Sequence, residues 1–216
     1  CAWRQLYRAR TVIMPSHAEA REILANAWRQ VYLSDLRASG LQLLQAQAWL
    51  ETRYGTGWKG AGVGSHNWGA VQASAPPCDP ATSFPYGDTH PKADGTSESY
   101  QACFRRYASD MEGASDLVRK ATPTRSNSRA LKSGNALQYA TALYDSGYYE
   151  GRGKTRAARI GGYARALDSI RSMIAEQLGE MVLDYGKRPS QSKAWIASTV
   201  AGAALILGGI AYGRTR

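Results

Sequence analysis

Leu43, Leu44, Gln47, Leu50, Glu51 and Tyr54 recur at intervals of three and four residues. They fall on one face of a helix predicted from about Leu41 to Tyr54 and closed by Gly55. Glu51 is thereby a carboxylic acid on the packed side of that helix, one turn from its end, with Trp49 and Trp58 close in sequence. Burial disfavours the charged form, so such a carboxyl should keep its proton to higher pH, as a general acid working near neutrality requires. Taken alone the position is not diagnostic, because a single Glu near a helix end is more commonly a solvated surface residue. His17, His66 and His90 stand at no metal-ligand spacing and at no catalytic interval from Cys78 or Cys103. That argues against a metal site and against a cysteine nucleophile, and no cofactor is expected.

The elements that must hold Glu51 are mostly helical. Ser16-His17-Ala18-Glu19 is a capping-box pattern that opens a helix, and Ile23, Leu24, Ala27, Trp28 and Val31 continue it at the helical period. Residues 55–69 are glycine-rich, with Trp58 and Trp68 embedded, and residues 73–99 hold five prolines, which predicts loop and short hairpin. Tyr100 to Tyr107 alternates well enough for one strand. A second capping box, Ser109 to Glu112, opens a helix to about Lys120. Two more helices are predicted at about 135–146 and 154–185. The second carries Ile160, Tyr163, Leu167, Ile170, Ile174, Leu178 and Met181 on one stripe. The fold class is α+β, mainly α, with one small strand-and-loop lobe in the middle.

The chain has 216 residues and a formal charge of +10. With 44% hydrophobic and 20% charged residues it is neither a disordered chain nor, at a mean hydropathy of -0.42, a polytopic membrane protein. Residues 187–216 hold five bases and no acid, half of the whole excess. Those bases flank an apolar run from Ala194 to Tyr212 whose nineteen residues, at about 1.5 Å each, would span roughly 28 Å, the thickness of a bilayer core. Trp195 and Tyr212 stand at its ends, where interfacial aromatics belong. A single transmembrane anchor is expected, with a buried C-terminal helix as the alternative. A second basic stretch, Arg119, Lys120, Arg125, Arg129 and Lys132, has no acid between Asp116 and Asp145. It lacks a nucleic-acid reading motif, so no specific nucleic acid is expected; a solvated basic face, or one suited to an anionic polymer, is.

Several segments occur in a telling order. Ala46-Gln47-Ala48-Trp49-Leu50-Glu51-Thr52-Arg53-Tyr54-Gly55 precedes Ser65-His66-Asn67-Trp68-Gly69-Ala70-Val71-Gln72. Phe104-Arg105-Arg106-Tyr107-Ala108-Ser109, Gly113-Ala114-Ser115-Asp116-Leu117-Val118 and Tyr139-Ala140-Thr141-Ala142-Leu143 follow. This order resembles glycoside hydrolase family 73, the bacterial cell-wall N-acetylglucosaminidases that include the flagellar muramidase domain, over about residues 16–180. The resemblance implies a lysozyme-like fold with Glu51 as catalytic acid. It implies that Ser65 to Gly69, with Asn67 and Trp68, match a Ser-x-Asn-Leu-Phe-Gly signature lining the sugar groove, here one apolar residue short. It implies that Phe104 to Tyr107 form the strand returning from the small lobe, and that Tyr139 lies close to the reacting sugar. The family's second acid sits in that lobe, which offers Asp79, Asp88, Asp94 and Glu98; Glu98, nearest the predicted strand, ranks first. Trp58 and Trp68 would give flat apolar faces to pyranose rings, or else belong to the core. In an extracytoplasmic setting Cys78 and Cys103, which bracket the lobe, would form a bridge; otherwise they are two buried thiols.

The expected organisation is an N-terminal segment 1–15, a glycosidase domain 16–186, a basic linker 187–193 and a transmembrane helix 194–213. The expected function is cleavage of the β-1,4 glycan backbone of peptidoglycan by a membrane-anchored hydrolase, in a phage virion membrane or a bacterial envelope. Its partners would be glycan strands and a lipid bilayer, with virion proteins or a second copy beyond them, since Gly209 and Gly213 permit helix self-association. The competing classes are a catalytically silent wall-binding or structural protein on the same fold, and a holin-like pore former.

Overall fold

A computed structural model describes residues 13–73, 76–91, 96–151 and 153–180. The expected linker and anchor lie outside the described residues, as does most of the N-terminal segment; among the described residues no helix is long and apolar enough to cross a membrane. Helix α1 (His17–Tyr32) and helix α2 (Ala38–Thr52) come first, followed by a short 3-10 turn at Gly60–Gly62. Strands β1 (Ser83–Pro91) and β2 (Ser97–Arg105) then pair, and α3 (Asp110–Ala121), α4 (Arg125–Ser133), α5 (Ala136–Asp145) and α6 (Arg156–Gln177) complete the order.

The helix starts follow capping chemistry. Ser16 accepts from the backbone N–H of Glu19, and the Glu19 carboxylate returns a bond to the Ser16 N–H, so two otherwise orphaned donors are met. Ser109, Thr124, Asn135 and Thr155 cap α3, α4, α5 and α6 by accepting from a backbone N–H three residues on. In α1 the stripe Ala20, Leu24, Ala27 and Trp28 is buried, one face of an amphipathic helix. Helix α2 differs: eleven of its fifteen residues are buried, so it is the central helix around which α1, α4 and α6 pack. Helix α6 buries Ile160, Tyr163, Leu167, Ile170 and Ile174, the stripe expected from its spacing.

Two parts depart from expectation. Helix α4 shows in the sequence only as a basic stretch; its buried side is Asn127, Ser128 and Leu131, too little apolar surface for a periodic signal. The small lobe is more regular than its prolines indicate, with nine residues in each antiparallel strand and Phe84, Tyr86 and Asp88 facing Phe104, Ala102 and Tyr100. Cys78 and Cys103 are joined as a disulfide, tying the loop before β1 to β2. Closing a loop of this length removes roughly 3 kcal/mol of unfolded-chain entropy from a lobe with little core of its own.

Candidate functional site

Glu51 sits in the last turn of α2, half-buried. The helix ends abruptly there, because Arg53 and Tyr54 both adopt the left-handed conformation (φ 49° and 59°) and Gly55 continues it at 78°. Two successive non-glycine residues in this region are costly and persist only where surrounding contacts hold them. Those contacts are visible: Thr52 Oγ1 donates to the Trp68 carbonyl and accepts from the Gly55 N–H. The Arg53 N–H bonds back to Trp49 and the Tyr54 N–H to Ala48. The end of the helix, and with it Glu51, is therefore fixed to the loop that carries Trp68.

Three helices converge on this carboxylate. Tyr163 of α6 donates its hydroxyl to Glu51 Oε1 at 2.6 Å. Tyr149 stacks on Tyr163 with ring centroids 4.1 Å apart and planes 17° apart. One turn back along α2, Gln47 is fully buried, and its Oε1 accepts from the hydroxyl of fully buried Tyr139 on α5. Burial, and secondly the charge of Glu51, push the Tyr163 and Tyr139 hydroxyls far above the usual phenol range. Both phenols thus stay protonated and remain donors. The bond from Tyr163 fixes one oxygen of the Glu51 carboxyl and the direction in which the group faces.

The hairpin adds a second carboxylate. Asp88 is buried on the face of β1 that looks toward Tyr100, and its Oδ2 accepts from Gln72 Nε2 at 2.9 Å and from the Tyr100 hydroxyl at 3.1 Å. Burial drives the Tyr100 hydroxyl up to about 12, with the charges of Asp88 and Glu150 adding to it and the bond from Gln72 opposing. Glu150 belongs to the segment Tyr148–Glu150, which also touches the Glu51 partner. Its Tyr149 stacks beside the Glu51 partner, its Tyr148 hydroxyl approaches the Gly69 carbonyl at 3.4 Å, and its Glu150 acts on the hairpin.

The residues singled out in sequence divide into groups. Glu98 is exposed on β2, on the same face as Tyr100 and two residues nearer the hairpin tip. Asp79 is exposed and bonds within its own turn to Ala81 and Thr82, and Asp94 lies outside the described residues. Ser65 and Asn67 are fully buried. Asn67 braces its loop by donating to the Val71 and Arg105 carbonyls and accepting from the Val71 N–H, so it holds the groove's frame instead of its surface. Trp68 is fully buried against Tyr54, with its Nε1 donating to Asp110 at 2.9 Å, and exposes no face on which a sugar could stack. The sugar-platform expectation for Trp68 gives way to its core alternative, because the loop turns the ring inward. Trp58 is partly buried among Phe84, Tyr86 and Phe104 and donates to the Asn67 carbonyl, which joins the hairpin base to the loop. Gly69 is buried against Leu117, with room for no side chain. Tyr107 is partly buried with its hydroxyl donated to Asp116 at 2.5 Å. Tyr139 is near Glu51 but bonds to Gln47; the hydroxyl that touches Glu51 belongs to Tyr163, which the sequence presented only as one position of an apolar stripe.

No family model matches the chain, and no curated protein does either. Solved structures do. A peptidoglycan hydrolase mutant from Sphingomonas sp. A1 superposes with a TM-score of 0.50 at 18% identity, covering 77% of this chain and 94% of that one. The catalytic domain of the autolysin Auto from Listeria monocytogenes is similar at a TM-score of 0.47 and 17% identity, over 73% of this chain and 81% of its own. A C-terminally truncated glycoside hydrolase domain of FlgJ from Salmonella typhimurium is similar at a TM-score of 0.44 and 24% identity, over 74% and 99%. The first of these likenesses shows the fold, a mainly helical arrangement with a small two-stranded lobe.

Proposed function

We propose that this chain is a glycosidase that cleaves the β-1,4 glycan backbone of peptidoglycan, with Glu51 as proton donor. The observation that carries the reading is the half-buried Glu51 carboxyl at the end of the central helix, held at Oε1 by a tyrosine that stays protonated. Glycosidic cleavage needs such an acid beside the leaving oxygen and a second group that supports the oxocarbenium-like centre or activates water. The likeness to a peptidoglycan hydrolase from Sphingomonas sp. A1 supports the substrate class, as does the ordered set of segments that resembles glycoside hydrolase family 73.

The inner face of the hairpin supplies the second carboxylate in this reading. Asp88 and Glu98 both lie on it. Asp88 is the preorganised one, buried and oriented by Gln72 and Tyr100, and a fixed charge in a water-poor site does more than a mobile exposed one. Glu98 stands closer to the tip, where it would meet a bound strand. The run from Ala194 to Tyr212 would anchor the enzyme to a bilayer, in a phage virion or a bacterial envelope, and the basic body would favour an anionic wall.

Zymography on purified peptidoglycan, with the parent protein beside Glu51→Gln, tests the reading. Clearing by the parent alone supports it. Equal clearing by both removes Glu51 from the chemistry, and clearing by neither favours a wall-binding or structural role.

A further inference from the structure

Part of the basic stretch that the catalytic reading leaves unused, Arg125, Arg129 and Lys132, lines an open groove. The C-terminal end of α1, the start of α2 and the α3–α4 connection border this groove of about 770 Å³, which is open to solvent and lined by Tyr32, Arg37, Thr122, Arg125, Arg129 and Lys132 among others. A volume between roughly 300 and 1,000 Å³ is that of an ordinary small-ligand site. Among the described residues none of Arg37, Arg125, Arg129 and Lys132 makes an ion pair. Lys132 lies over the Trp28 and Tyr32 rings, 5.4 and 5.7 Å from their centroids, and the Tyr32 hydroxyl is donated to Thr122.

Two helices also begin at this groove. Helix α2 starts at Arg37 with no side-chain cap and α4 at Thr124, and neither has an acid in its first turn. Both helix starts therefore bring the positive end of a helix dipole to the edge of this groove, with the Asn127 N–H of α4 already donated to Thr124 Oγ1. All four cations are exposed along this groove, where an incoming anion can reach them. The groove is lined at one end of α2 by Arg37, while Glu51 lies fourteen residues along at the other end, about 21 Å away at 1.5 Å per residue.

We infer that this groove is a second, non-catalytic site for the phosphoryl groups of an anionic wall polymer, which holds the enzyme on its substrate while the Glu51 end works. Phosphoryl oxygens match the fork of Arg and the helix N-termini, and a concave site suits a jointed phosphodiester chain better than a flat membrane surface. The polymer assignment rests on the wall-directed function proposed above; the phosphoryl chemistry does not.

The test is calorimetric binding of a glycerol-phosphate polymer to the full chain, with inorganic phosphate as competitor. Anionic phosphatidylglycerol vesicles form a separate arm. The variants are Arg125→Gln with Arg129→Gln, and a control of equal charge change, Lys154→Gln with Arg165→Gln, on exposed positions of the body. The groove pair should weaken polymer binding about tenfold or more, the loss of roughly one charge-assisted contact per arginine, while the control changes it less than about twofold. Inorganic phosphate should displace the polymer from the parent. Equal losses in both pairs reduce the effect to net charge and overturn the site, and binding of the vesicles but not of the polymer overturns it in favour of a membrane contact. Glu51→Gln should bind the polymer as the parent does. If neither it nor the parent degrades peptidoglycan, the catalytic reading fails while the binding result still decides the groove.

Discussion

Tyr163 and Glu51 are 112 residues apart in the chain, yet the phenol hydroxyl lies 2.6 Å from Glu51 Oε1. The contact joins the long C-terminal helix to the end of the central one and fixes the direction in which the carboxyl faces. Tyr149, stacked on the same ring, limits the rotation of Tyr163 and so passes that constraint to the segment before α6.

Tyr163→Phe should lower kcat on peptidoglycan roughly 10- to 100-fold, the worth of one hydrogen bond to a charged or reacting group, with KM changed less than about twofold. Tyr139→Phe, one layer behind at Gln47, should cost less activity and more stability. Steady-state rates on soluble glycan fragments, set beside melting temperatures, separate the two.

Asp88→Asn and Glu98→Gln distinguish the two hairpin carboxylates. Asp88→Asn should reduce turnover about 100-fold or more, and Glu98→Gln less than about tenfold, if the fixed carboxylate supports the transition state. Comparable kcat values for parent and Asp88→Asn would move the role elsewhere on the lobe.

Gly113→Ala should be severely destabilising. A Cβ there would lie 1.7 Å from the His66 carbonyl oxygen, and both are backbone-anchored, so α3 would have to lift from the loop carrying Asn67 and Trp68. A loss of about 3 kcal/mol or more is expected from such overpacking, read as a shift in the urea midpoint.

His17 gives the fold a pH dependence. Its Nδ1 is hydrogen-bonded to the Tyr54 hydroxyl at 2.7 Å, and Gln45 Nε2 donates to that same hydroxyl. Burial, opposed by a hydrogen bond that the ring donates to the Gln177 side chain and reinforced by the charge of Arg21, holds the imidazole below its ordinary value of 6.5. The folded state binds this proton less readily than the unfolded chain, so the contribution is complete above about pH 6.5 and is lost as pH falls through the folded value. The melting temperature of His17→Gln should accordingly fall less than the parent's between about pH 7 and pH 5.

The helical frame was legible because burial writes a 3.6-residue period into α1, α2 and α6, and Ser, Thr and Asn mark helix starts. Glu51 was legible for the same reason. Tyr163 was not, since its place in an apolar stripe is equally that of a core residue, and only the packing of α6 on α2 brings its hydroxyl to the acid. Trp68 sits in a glycine-rich stretch where a ring can turn either way, and contacts with Tyr54 and Asp110 decide that it turns inward. Asp88 alternates with Phe84 and Tyr86 on one strand face, a pattern masked by Pro85 and Gly87 between them. Helix α4 left almost no apolar trace, and its arginines show their meaning only where two helix starts meet around them.

Mass spectrometry of the fragments released from purified peptidoglycan is the most direct test of the central claim. The account predicts that the parent releases products cut at a β-1,4 glycosidic bond, with a reducing or an anhydro end. Glu51→Gln, folded and with an unchanged melting temperature, should release them about 1,000-fold more slowly. Fragments cut in the peptide stems, or equal release by both proteins, would contradict it.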